Sequence, residues 1–315
     1  MIIAAIGVIF WGYNVLRHHG PFRTDSIVII PKGSGTEQIT SLLAQNGLVE
    51  HPTVFNLAVR TFGADKVLQA GEYSIPKGSS PLDILSILQS GRTVVRSITV
   101  AEGLNTSEIL GRVIKTEGLS GLMTENPKEG QLLPETYHYS YGDSRNELVR
   151  RMKGAMSNAL EELWKRRKSG LQITTREQAI ILASLVEKET GLLEERERVA
   201  SVFINRLRRG MRLQSDPTVI YGLTNGVGNL ERPLNKTDLT NPNPYNTYLN
   251  KGLPPGPITN PGRASIEAVL NPIESRDLYF VADGTGGHAF ARTLTEHNKN
   301  VSTWRNFLRG KNIKQ

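Results

Sequence analysis

Three regimes of hydrophobic patterning follow one another along the chain. Met1–Leu16 is almost unbroken apolar sequence with Asn14 as its strongly polar exception, and Arg17, His18 and His19 close it. From Asp25 to Val95, β-rich lead-ins alternate with short amphipathic helices. Ile30–Gly47 echoes in Ile75–Gly91: each opens on Ile-Pro-Lys-Gly, continues with apolar residues at helical spacing (Ile39, Leu42, Leu43; Ile84, Leu85, Leu88) and closes on Gly. A fainter third copy occupies Val100–Ile114, and Gly71–Ile75 reads as a strand between the first two. Units this short cannot bury a face alone, so the copies must pack on one another as a small α+β module.

Beyond about Ile98 the periods lengthen. The spacing predicts helices over Arg145–Arg167, Thr175–Thr190 and Val199–Arg208, after which Asp216–Gly262 turns dense in Pro, Asn, Gly and Tyr. Its six prolines from Pro242 to Pro261 cannot sit in helix interiors. So long an irregular stretch inside a compact domain is usually functional, and it reads as the wall of a groove. The expected class is α+β: a membrane helix over residues 1–19, a small α+β module over 20–96, and a mixed α+β domain over 97–315 with a loop-rich groove wall.

The N-terminal run bears on the compartment. Its sixteen residues span about 24 Å as a helix, against a bilayer core of about 30 Å, and Trp11 and Tyr13 suit a membrane interface. A basic leader and a small-residue cleavage site are both missing, so an uncleaved transmembrane anchor, its cytoplasmic start cut short, is favoured over a signal peptide; a buried N-terminal helix is the other alternative. Arg17 after the run leaves the orientation open.

Composition narrows the chemistry. The 315 residues contain no cysteine, which removes thiol nucleophiles, thiolate zinc sites, iron–sulfur ligation and disulfides together. Thirty-eight Lys+Arg against 30 Asp+Glu leave +8, a balance that favours acidic partners. The basic clusters at Arg150–Lys153 and Lys165–Lys168 nevertheless fall in helix-forming stretches and read as solvated faces, so nucleic acid is not an expected partner. The six histidines (His18, His19, His51, His138, His288 and His297) show no i,i+4 pairing, and no metal site is expected. No G-x-S-x-G elbow occurs, and the glycine run Gly284–Gly287 lacks the P-loop lysine and reads as a β-turn. No cofactor is expected.

What remains is a carboxylate. The segment Thr174–Gly191 begins with a capping box, Thr174 with Glu177 or Thr175 with Gln178, and is apolar on every face through Ala179–Val186, the signature of a buried helix. Glu187 and Glu189 fall in its last turn, where the helix dipole disfavours negative charge. A carboxyl so placed at the edge of a core should have a raised pKa, as a general acid near neutral pH requires. The alternative is that both acids are solvated and pair with neighbouring cations. Residues two apart point about 200° from each other, so only one can face a given cleft. Glu189 stacks over Val186, Leu185 and Leu182, a bulkier face than the Ser184, Ala183 and Ile180 beneath Glu187; desolvation favours Glu189, with Glu187 as runner-up.

These residues also carry a family resemblance. Ala183–Thr190, Val199–Leu207, Gly210–Gly222, Pro244–Tyr248, Gly252–Gly262 and Leu278–Phe290, in that order, resemble blocks of the endolytic murein transglycosylases of the MltG/YceG-like family, and Leu132–Tyr137 is similar to an upstream element. The resemblance implies a membrane-anchored enzyme of the bacterial inner membrane, with a LysM-like module and a catalytic domain outside the cytoplasm. It implies cleavage of the β-1,4 bond between N-acetylmuramic acid and N-acetylglucosamine without water, leaving a 1,6-anhydromuramyl end. Peptidoglycan strands would be the substrate, and penicillin-binding proteins or other wall-synthesis proteins possible companions. Carried onto this chain, the acid/base falls at Glu189, with Glu187 the runner-up or a partner. Asn205, Arg206, Gln214, Ser215 and Asp216 resemble the polar groove, and Tyr221, Tyr245, Asn246, Thr247 and Tyr248 would contact sugar rings and acetamido groups. The rival reading is a membrane-tethered peptidoglycan-binding scaffold whose carboxylates are structural.

Overall fold

The structure, a computed structural model, describes residues 2–62, 67–228 and 230–312. It is a mixed α+β chain that divides into two compact units: Met1–Ile98 with Thr116–Leu122 and His138–Arg145, and Thr99–Lys115 with Met123–Tyr137 and Asn146–Gln315.

In the first unit the elements run α1 (Ile2–Arg17), β1 (Ser26–Ile30), α2 (Thr36–Gln45), α3 (Pro52–Phe62), β2 (Gly71–Ile75), α4 (Pro81–Ser90) and β3 (Val95–Thr99). The repeat seen in the sequence becomes two strand–turn–helix copies. Their strands pair antiparallel, Ser26 opposite Ile75 and Ile30 opposite Gly71. In each Pro-Lys-Gly turn the glycine takes the left-handed conformation (Gly33 φ 84°, Gly78 φ 69°) that lets the strand reverse into its helix. Val28, Ile30, Ile39, Leu43, Phe55, Tyr73, Ile75, Ile84 and Leu88 fill the shared core. The third copy parts from the first two: its helix, α5 (Thr106–Lys115), belongs to the second unit.

The expectation of a spanning anchor is not supported by the described residues. Among the described residues no helix is long and apolar enough to cross a membrane. The 16 residues of α1 reach about 24 Å, short of a hydrocarbon core. Its last turn is seated on the module, with Leu16 buried and Trp11 edge-on to His51 at 5.2 Å, while Ile2, Ile3, Ile6, Ile9 and Phe10 stay exposed.

β4 (Thr136–Ser140), paired with β3, has His138–Ser140 in the first unit. The second unit continues with α6 (Arg145–Lys165), α7 (Arg176–Glu189), α8 (Leu193–Arg208), α9 (Asp216–Thr224), α10 (Lys236–Leu239), α11 (Arg263–Leu270), β5 (Tyr279–Ala282), β6 (His288–Ala291) and α12 (Leu294–Asn312). The helix α7 is the axis of the core. Ala179 through Val186 are all buried, packed among residues of α6, α8 and α11 such as Met156, Phe203 and Val269. Two boundaries differ from the sequence pattern. α8 starts at Leu193 because Glu194 and Glu195 in its first turn suit the positive end of the helix dipole, although that turn has no apolar stripe. α9 rises inside the stretch expected to be irregular, because Pro217 stands at the first helical turn, where its missing N–H costs nothing.

Candidate active site

The last residue of α7 is Glu189. The helix is started by Thr175, whose hydroxyl accepts from Gln178 N at 3.1 Å, while Gln178 Oε1 accepts from Thr174 N at 2.8 Å. Eight consecutive buried residues then hold the axis in place, so the carboxyl at its end is aimed by the core. Ser215, buried at the N-cap of α9, donates its hydroxyl to Glu189 Oε1 at 2.5 Å. Ser215 is fixed in turn: its N–H donates to Thr247 Oγ1 at 3.0 Å, and its carbonyl accepts from Thr218 Oγ1 at 2.6 Å.

Burial pushes Glu189 up to about 7, from an ordinary 4.5. The Ser215 hydrogen bond works against that rise, the Asp216 charge adds to it, and His288 and Arg206 oppose it. The residue is only partly exposed. No ion pair reaches it among the described residues, so its charged form is supported by one hydroxyl and by cations at a distance.

Glu187 has the opposite surroundings. Its side chain is 4 % exposed; Oε1 accepts from Arg196 Nη2 at 3.1 Å and Oε2 from the Gly262 N–H at 2.9 Å. The same Arg196 nitrogen donates to Glu102 Oε2 at 2.8 Å. Desolvation raises its pKa, the Gly262 N–H and Arg196 pulling the other way. Both of its oxygens are engaged in holding α7, α8 and the start of α11 together.

The other residues singled out in the sequence separate into three groups. Asp216 and Tyr248 stand beside Glu189, with Tyr248 Oη donating to Asp216 Oδ1 at 2.5 Å and burial raising the phenol's pKa. Gln214 lies next to them with φ 53°, a left-handed conformation uncommon outside glycine, held by its N–H to Thr247 O at 3.2 Å. Tyr221 and Tyr245 form a second group, rings 4.8 Å apart and tilted 48°, and the charge that bears on both is Glu129.

The third group is structural. Arg206 is buried and donates to the carbonyls of Leu278 and Leu213, both at 2.6 Å. Asn205 gives both amide hydrogens to the carbonyls of Ser275 and Asp277 at 3.0 Å and lines a different cleft, with Arg208 and Arg276. Asn246 is buried, donating to the carbonyls of Leu239 and Asn241 and accepting from Tyr248 N, and Thr247 is buried behind Ser215. These four make hydrogen bonds within the protein, mostly to backbone carbonyls.

One pair escaped the sequence reading. His288 Nδ1 lies 2.6 Å from Glu195 Oε2, and the His288 N–H donates to Glu195 Oε1 at 2.8 Å. The two contacts to one carboxylate fix the orientation of the imidazole. Ninety-three residues separate the two, and no periodicity links them; the only signal was the position of His288 after the glycine-rich hairpin turn. Among the described residues no cluster of three or more His, Cys, Asp or Glu could hold a metal ion.

The fold and site thus define an α+β protein that presents one unpaired, protonatable carboxyl at the end of a buried helix. The chain belongs to the YceG-like family, whose model matches residues 28–303. It is 33 % identical over 328 aligned positions to a Bacillus subtilis protein named endolytic murein transglycosylase, with 93 % of this chain and 89 % of that one covered. A Streptococcus pneumoniae protein of the same name is 31 % identical, the match covering 87 % of this chain and 57 % of the longer relative. The crystal structure of a YceG-like protein from Listeria monocytogenes matches with a TM-score of 0.53 at 30 % identity, covering 87 % of this chain and 98 % of the other.

Proposed function

We propose that this chain is an endolytic peptidoglycan lytic transglycosylase that cuts the β-1,4 bond between N-acetylmuramic acid and N-acetylglucosamine, with Glu189 as the single acid/base. The observation that carries the reading is the Glu189 carboxyl itself, desolvated at the end of α7, without a salt bridge among the described residues, and pushed up to about 7 by burial. The contacts of Arg196 and the Gly262 N–H with both oxygens of Glu187 favour Glu189 for the role.

The chemistry needs no second carboxylate. Glu189 gives its proton to the glycosidic oxygen as the C1–O bond breaks and an oxocarbenium-like centre develops at C1. The resulting carboxylate is supported by the Ser215 hydroxyl and by the positive field of Arg206. It then takes the proton from the sugar's own C6 hydroxyl as that oxygen bonds to C1, closing the 1,6-anhydro ring and restoring the acid. Water is not consumed, and tethered attack is favoured by its high effective concentration. The charge of Asp216, held by Tyr248, favours the protonated form of Glu189 before the first step.

The strand–helix–helix–strand order of β1, α2, α3 and β2 supports reading residues 20–96 as a LysM-like glycan-binding module ahead of a catalytic domain over 97–315. The site of action is nascent glycan at the outer face of the cytoplasmic membrane, beside wall-synthesis proteins such as penicillin-binding proteins. Incubating the full chain with purified sacculi and weighing the products tests the reading. Anhydro-ended fragments, one water lighter than reducing ones, are expected; reducing ends would make the protein a hydrolase, and sedimentation with sacculi without products would make it a scaffold.

A further inference from the structure

A second carboxylate lies away from Glu189 and has no part in the chemistry above. Glu129 lines a cleft of about 980 Å³ whose walls include Tyr221, Tyr245, Pro255, Pro257 and Ile180. Its Oε1 accepts from Thr106 N at 2.9 Å, Thr106 Oγ1 at 3.0 Å and Asn260 Nδ2 at 2.9 Å. All three donors are neutral, and no lysine or arginine forms an ion pair with it among the described residues. Burial raises its pKa against the pull of these hydrogen bonds. A carboxylate fixed in direction but not neutralised keeps its capacity to accept hydrogen bonds from a visitor.

Aromatic and proline faces line the cleft together with the charged Lys128, Lys153 and Glu177. Tyr221 and Tyr245 present a tilted ring pair, and Gly256 lets the Tyr245 hydroxyl come close, since a Cβ there would sit 3.0 Å from that oxygen. Gly130, at φ 77°, brings the chain so near Ile180 and Pro257 that a Cβ would lie 2.7 Å from each. Ring and proline faces beside a hydrogen-bond acceptor make up the chemistry that binds a pyranose: its C–H faces stack, and its hydroxyl or acetamido N–H groups donate.

The cleft's place along α7 gives it meaning. Ile180 precedes Glu189 by nine residues, about 13 Å of helix axis, so cleft and acid are served by opposite ends of one rigid rod. We infer that the Glu129 cleft is a distal saccharide-binding site, which takes a sugar unit of the same strand several residues from the bond being cut and so makes the enzyme prefer the interior of long chains. This rests on the proposed glycan-cleaving function, and it adds a site, a residue and a length dependence to it.

The test is binding, kept apart from turnover. The full chain is titrated calorimetrically with β-1,4-linked N-acetylglucosamine dimer and hexamer. The hexamer is expected to bind about ten-fold more tightly, one extra site's worth of contacts. Glu129→Gln keeps an oxygen for Thr106 and Asn260 and so keeps the fold, but presents a neutral amide to the cleft; the hexamer advantage should fall to about two-fold. Ser157→Trp, at an exposed α6 position on the rim, fills the cleft without touching Glu129 and should do the same, which serves if Glu129→Gln fails to fold. An equal affinity for dimer and hexamer, an advantage surviving both variants, or binding only of peptide-bearing fragments would each overturn the inference. A hexamer advantage that depends on Glu129 in a protein releasing no anhydro products would leave the cleft standing and remove the chemistry. Anhydro products without the advantage would do the reverse.

Discussion

The Ser215 hydroxyl donates to Glu189 Oε1 at 2.5 Å, and this contact opposes the burial that would otherwise hold the carboxyl protonated at still higher pH. Ser215→Ala removes a bond to the charged form, so the Glu189 pKa moves above about 7. The alkaline limb of the kcat/KM profile, which reports loss of the protonated acid, should shift up by about half to one pH unit. A downward shift would assign that limb to a different group.

Glu189→Gln should abolish anhydro products, a loss of at least about a hundred-fold for a missing general acid. It should also stabilise the fold, in a pH-dependent way. A carboxyl raised from 4.5 to about 7 binds its proton more tightly folded than unfolded, so its contribution is fully present below pH 4.5 and is lost as pH rises through about 7. Glutamine does not titrate. Relative to the wild type the variant should therefore gain on the order of 1–2 kcal/mol between pH 5 and pH 8, the full shift being discounted for partial exposure. Urea unfolding at the two pH values measures it, and equal differences at both would contradict the raised pKa.

Glu187→Gln should behave as a stability variant. It leaves the buried Arg196 guanidinium with Glu102 alone and weakens the tie to Gly262, which should cost about 2–4 kcal/mol while some turnover persists. Complete loss of product with an unchanged melting temperature would move the acid two residues back along the helix.

Gly111 sits in mid-α5, and a Cβ there would have no neighbour within 4 Å. Gly111→Ala should stabilise the chain by about 0.5–1 kcal/mol, because alanine loses less backbone freedom on entering a helix. Calorimetry that shows a lower melting temperature would indicate that α5 needs its glycine for another reason.

Much of this architecture was legible in linear order, and the misses have identifiable causes. The echo around Pro31–Gly33 and Pro76–Gly78 marked two paired strand–turn–helix copies because glycine's left-handed turn and the helical apolar spacing are local properties. The buried α7 was legible because eight apolar or small residues in a row leave no face for water. The membrane-spanning expectation for residues 1–19 finds no support, since apolar composition is visible locally but among the described residues no helix is long and apolar enough to cross a membrane. For Asn205, Arg206, Asn246 and Thr247 the sequence shows polarity, a property of residue type; their hydrogen-bond partners, mostly backbone carbonyls brought in from other loops, appear only in the fold.

Residue order was therefore sufficient to establish an α+β chain, a core helix ending in two acids, and membership of a family. Which acid stays unpaired was settled by long-range contacts: Arg196 and the Gly262 amide reach Glu187, and Ser215 reaches Glu189. Protonation near neutrality depends on how many protein atoms displace water and which charges stand within a few ångströms, and both follow from segments distant in the chain meeting in space.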